Sequence, residues 1–130
     1  MTDEIIWLDF DQVVNHHIEQ IERYGGQSGI RDQGLLESAL IRPRNLFYYE
    51  SIDNLPILAA TYASAIVKNH PFFDGNKRTG LGSAVIFLAV NRFEFNSPNK
   101  ETIDIFLKIA DNKIDEKELH LWFQKYSVEL

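Results

Sequence analysis

Residues 70–80, His-Pro-Phe-Phe-Asp-Gly-Asn-Lys-Arg-Thr-Gly, interrupt an otherwise helical pattern, and the interruption organises the whole chain. Before it, Leu55, Leu58, Ala59, Tyr62 and Ile66 form an apolar stripe at helical spacing. After it, Leu81, Ala84, Val85, Leu88 and Ala89 fall at i, i+3, i+4, i+7 and i+8. Pro71 disfavours helical geometry at His70 and Gly75 permits a turn, so a loop joins two long core helices.

Working outward, Val14, Ile18 and Ile21 make a shorter helical pattern ended by Gly25-Gly26. Leu35, Leu36, Ala39 and Leu40 make another, ended before Pro43. Ile103, Phe106, Leu107 and Ala110 repeat the spacing, as do Leu119, Trp122, Phe123 and Tyr126. The expected fold is all-α, a compact bundle of about six helices. At most it carries minor β segments at Ile5–Phe10, around Leu46–Tyr49 and at Phe93–Phe95.

The 130 residues suit a single domain, 1–130, able to bury roughly two-thirds of its unfolded surface without metal or disulfide staples. Cysteine is absent, which excludes thiolate chemistry and cysteine-ligated metals and fits a reducing compartment. The N-terminus opens with acids rather than a basic secretory region, and the longest apolar run, Ala84–Val90, is too short to span a bilayer. A cytoplasmic protein with no membrane role is expected. A net charge of −6 argues against direct nucleic-acid binding and favours basic partners. Lys68, Lys77 and Arg78 nonetheless make a locally cationic spot around His70.

The chemistry of the loop follows from its residue types. His70, with an ordinary pKa of about 6.5, can accept a proton from an attacking hydroxyl, although a histidine before proline also suits capping of the preceding helix. Asp74 offers a hard oxygen to magnesium, which in nucleotide sites needs only one or two carboxylates beside phosphates and waters; it also suits a helix cap. Gly75-Asn76 at a helix start point free amides outward along the positive end of the helix dipole, where phosphate binds. Lys77 and Arg78 in the first turn oppose that dipole unless an anion is present. Gly75 and Gly80 have Walker A spacing, yet Leu81-Gly82 follow where Lys and Ser/Thr are required, so that reading fails. Phe72 suits core anchoring. Adjacent His16-His17 have the wrong helical spacing for a shared metal and read as surface or interface residues, and His120 and Trp122 are equally unremarkable.

His70, Phe72, Asp74, Gly75, Asn76 and Arg78 fit the signature His-x-Phe-x-(Asp/Glu)-Gly-Asn-x-Arg, and in this the chain resembles the Fic/Doc superfamily. Lys77, the Thr79-Gly80 that follows, and Leu81 where Fic proteins carry a second arginine look like the Doc branch, the toxins of toxin–antitoxin pairs. Tyr24-Gly25-Gly26, the run Gly29–Leu40 and Arg42-Pro43 extend the likeness over most of residues 20–92.

The resemblance implies an all-helical Fic fold and transfer of the ATP γ-phosphate to a Ser/Thr hydroxyl of a protein, with elongation factor Tu as target and translation arrested. His70 would be the base, Asp74 the Mg2+ ligand, and Gly75, Asn76, Lys77 and Arg78 the phosphate binders. Fic-type AMP transfer and a non-catalytic, antitoxin-binding regulator are the alternatives. Arg44–Asp53 would be the flap that aligns the target by strand-like pairing. The inhibitory motif of many Fic proteins is nearest matched by Ser97–Thr102, which fails at its last position, so a separate cognate antitoxin is implied.

Overall fold

The computed structural model describes residues 4–130. Its helices are α1 (Phe10–Tyr24), α2 (Gln33–Glu50), α3 (Leu55–Asn69), α4 (Asn76–Val90), α5 (Asn99–Ala110) and α6 (Glu116–Tyr126), with short strands β1 (Phe93–Phe95) and β2 (Ser127–Glu129). The all-α expectation holds, with six helices and one two-stranded sheet among the described residues.

α3 is the axis of the bundle. Asn54 caps it by accepting the Ile57 N–H at 3.0 Å, and Pro56 sits in its first turn, where a missing N–H costs nothing. Every residue from Leu58 to Val67 is buried, because α2, α4, α5 and α6 all pack on this helix. Its alanines let neighbours approach closely. At the α3–α4 crossing a Cβ on Gly80 would lie 2.9 Å from Val67 Cγ2 and 3.1 Å from the Ala63 carbonyl, so glycine sets the spacing of the two helices that bracket the motif.

α1 starts at a reciprocal capping box, in which Asp9 accepts the Gln12 N–H and Gln12 accepts the Asp9 N–H. Its inward face differs in phase from the expected stripe: Val13 and His17 are buried, whereas Ile18 is 41% exposed. α2 does not stop before Pro43 but runs on to Glu50, with Pro43 itself buried. Packing of Leu36, Ala39, Leu40 and Pro43 into the core offsets the roughly 3 kcal/mol that an interior proline costs. The β segment expected around Leu46–Tyr49 is therefore the last part of α2.

The strand expected at Ile5–Phe10 is also absent. The Asn91 side chain exchanges two hydrogen bonds with the Ile6 backbone, at 2.8 and 2.9 Å, and so does the work of a strand partner there. β1 is present and pairs antiparallel with β2, Glu94 opposite Val128. No helix among the described residues is long and apolar enough to cross a membrane.

Candidate active site

The motif spans the turn from the end of α3 to the start of α4. His70 closes α3 in a left-handed conformation (φ 51°, ψ 54°), which for a residue other than glycine costs about 1 kcal/mol or more. It does so without its imidazole capping the helix. Arg31 takes that role instead, donating from Nε to the His70 carbonyl at 2.7 Å and from Nη2 to the Asn69 carbonyl at 3.1 Å. The His70 side chain is left exposed at the rim of a cleft.

Phe72 is fully buried, as an anchor should be, and lies flat on the His17 ring with centroids 3.8 Å apart. His17 is thus no surface residue: it is buried, and its Nε2–H donates to the Asp74 carbonyl at 2.8 Å, which fixes the tautomer. Burial lowers the pKa of His17 against the opposing pull of that hydrogen bond, so the neutral ring is favoured.

The Asn76 side chain turns inward. Its Oδ1 accepts the Phe72 N–H and its Nδ2 donates to the Phe72 carbonyl, both at 3.0 Å, so the amide holds the loop and only the main chain of this residue faces outward for an anion. Gly75 enters α4 at φ 73°, and no side chain caps that helix. The first-turn amides of Asn76, Lys77 and Arg78 lie beyond the reach of intrahelical carbonyls, as in any helix start.

Asp74 is exposed. Its carboxylate accepts the Gly75 N–H at 2.9 Å and the Gln27 N–H at 3.2 Å. The amide of Gln27, then that of Gly75, with weaker help from Arg78 and Lys77, holds its pKa below the ordinary value and keeps it ionised. Arg78 donates to the Gly25 carbonyl at 3.1 Å and lies over the Tyr24 ring at 5.6 Å.

His70, Asp74, Gly75, Asn76, Lys77 and Arg78 all line one cleft of about 190 Å³, with Val67 and Ala110 as apolar wall. Every residue singled out from the sequence as a site candidate therefore faces the same space. No three carboxylate or histidine side chains converge into a metal cage among the described residues. An exposed, ionised carboxylate beside an anion cradle fits magnesium shared with a nucleotide, which needs few protein ligands.

Leu81 points elsewhere, into an adjoining apolar groove of about 220 Å³ with Ile103, Phe106 and Leu107. The flap expected at Arg44–Asp53 is not strand-like, because Arg44–Glu50 belongs to α2. What runs beside the motif is residues 25–32, with an isolated bridge between Ile30 and Phe72 and a Phe73 N–H to Gly29 carbonyl bond of 3.2 Å. Sequence reasoning missed Arg31, Gln27 and His17 as neighbours of the site. The i, i+4 spacing of Val13, His17 and Ile21 was the one available signal for His17.

A family model described as Fic/DOC family matches residues 7–88. The chain belongs to the Fic/DOC family. It is 37% identical over 105 residues to "Protein kinase doc" of Escherichia phage P1, a match covering 80% of this chain and 82% of that protein. It is 39% identical over 71 residues to "Toxin Doc" of Mycolicibacterium smegmatis, covering 52% of this chain and 53% of that relative. Both relatives place it on the Doc branch, in agreement with the residues at 77 and 81.

Proposed function

We propose that this Doc-branch protein is the toxin of a toxin–antitoxin pair and a protein kinase, moving the γ-phosphate of ATP to a Ser or Thr hydroxyl. The observation that carries this reading is the convergence of a histidine base, an ionised carboxylate and an amide-and-cation cradle on one cleft. The acceptor that the family resemblance implies is elongation factor Tu, whose modification would arrest translation in the cytoplasm.

In this reading the acceptor hydroxyl enters beside His70 and loses its proton to the imidazole as its oxygen bonds to the γ-phosphorus. The bond from that phosphorus to the bridging oxygen breaks, and ADP leaves. The amides of Asn76, Lys77 and Arg78, with the Lys77 ammonium and the Arg78 guanidinium, stabilise charge on the transferring group. Asp74 would hold Mg2+, which when bound neutralises phosphate charge. Lys77 and Leu81 support γ-phosphate over AMP transfer, since Leu81 gives its side chain to the apolar groove rather than to the cleft.

The test is induced expression with and without the neighbouring reading frame, followed by incubation of the purified protein with γ-labelled or α-labelled ATP and candidate acceptors. Label from the γ position should reach a protein, and His70→Ala should abolish transfer while remaining folded. Transfer of the α label would replace this reading with AMP transfer. Growth arrest undiminished by His70→Ala would point to a binding role without catalysis.

A further inference from the structure

We propose that Arg31 is the positioning residue for His70: its guanidinium fork holds the last two carbonyls of α3 and so fixes the left-handed turn that presents the imidazole to the cleft. The inference rests on the base role assigned to His70 above, and it concerns a residue outside the motif by nearly forty positions.

A helix leaves its final carbonyls without intrahelical donors, and a histidine at the C-terminus is itself a suitable donor for them. Were His70 to satisfy those carbonyls, its ring would fold back on α3 and away from the substrate. Arg31 removes that option. Its Nε reaches the His70 carbonyl at 2.7 Å while Nη2 reaches the Asn69 carbonyl at 3.1 Å. Two consecutive carbonyls suit a rigid planar fork better than the single point charge of a lysine.

The His70 peptide is pinned from several sides. Its N–H bonds the Ile66 carbonyl at 3.1 Å, and the Asn69 side chain donates to the Leu35 carbonyl at 2.9 Å, tying α3 to α2. The backbone of residues 31 and 32 holds the next residue independently of the guanidinium, since both N–H groups donate to the Pro71 carbonyl, at 2.7 and 3.0 Å. Truncating the Arg31 side chain would therefore leave the loop tethered while releasing only the α3 terminus. Arg31 is exposed, so its removal opens no cavity.

The experiment compares the parent with Arg31→Ala and Arg31→Lys, and with Arg42→Ala, whose exposed side chain pairs with Glu116 and does not line the cleft, as control. Steady-state transfer of γ-label to the acceptor that the labelling experiment identifies is measured beside the thermal midpoint. The His70 Cε1–Hε1 cross-peak, assigned by its loss in His70→Ala, reports the ring directly. In Arg31→Ala, kcat should fall between about ten- and a hundredfold with the KM for ATP within about twofold of the parent, as misplacement of a reacting group predicts. Its His70 cross-peak should move. Arg31→Lys, which keeps a donor for one carbonyl, should fall between parent and alanine variant in both readouts. Should the alanine variant lose its fold, the lysine variant carries the same comparison.

A fall in kcat with an unmoved cross-peak, a moved cross-peak with unchanged kcat, or equal effects from Arg42→Ala would each overturn the proposal. If the parent transfers no label, the kinase reading fails by itself. The cross-peak then decides Arg31 alone: movement in Arg31→Ala but not in Arg42→Ala supports it, and no movement refutes it.

Discussion

Asn76 separates a structural lock from a ligand contact. In Asn76→Ala the Phe72 N–H and carbonyl, each bonded at 3.0 Å to the Asn76 amide inside the buried turn, both lose their partner. A buried polar group left unpaired costs about 1–3 kcal/mol. Two of them, lessened by partial relaxation of the loop, give a loss of about 2–4 kcal/mol. At about 2.1 cal/mol/K of unfolding entropy per residue, the 130-residue chain has roughly 0.27 kcal/mol/K, so the midpoint should fall by about 7–15 °C. Differential scanning calorimetry of parent and variant without nucleotide reads this directly. Asn76→Asp, which keeps the acceptor but loses the donor, should lie between them. A midpoint lowered by less than about 2 °C would show that the inward amide does not hold the loop.

Other perturbations test neighbouring parts of the structure. Gly75→Ala forces a Cβ onto a residue at φ 73° and should cost about 1–2 kcal/mol in urea unfolding, with a disproportionate loss of transfer because the amide cradle starts there; an unchanged midpoint would contradict the left-handed turn. Glu101→Ala removes the acceptor of both the Trp122 Nε1–H and the Tyr126 hydroxyl, at 3.0 and 2.9 Å, and should destabilise by about 1–3 kcal/mol while leaving the active-site cleft intact; loss of transfer by a folded variant would contradict that separation. His16, His17 and His120 all have pKa values lowered chiefly by burial. Below the ordinary value of about 6.5 the unfolded chain therefore binds protons that the folded one refuses, and their contribution, fully present above that pH, is lost on acidification. The urea midpoint should fall between pH 7 and 5 and fall less in His16→Gln; an equal fall in both would exclude His16.

Local chemistry alone determined much of this protein. Helical periodicity on both sides of residues 70–80, a proline after His70 and a glycine at 75 suffice to place a loop between two core helices, because each acts through its own backbone geometry. The chemical candidates were equally legible, since base, carboxylate and cations lie within nine residues and cannot separate far. Pairings between distant segments were not legible. β2 is three residues whose strand character exists only beside β1, and Pro43 stays helical only because both halves of α2 find partners in the core. The same holds for the side chains that hold the site. Nothing in the spacing of residues 27 and 31 announces that they meet the motif, and the inward turn of Asn76 depends on burying Phe72. Residue types stated what the loop can do; tertiary packing decided which of its groups face the cleft and which secure the loop, because a hydrogen-bonding group can serve both uses and only its buried neighbours choose between them.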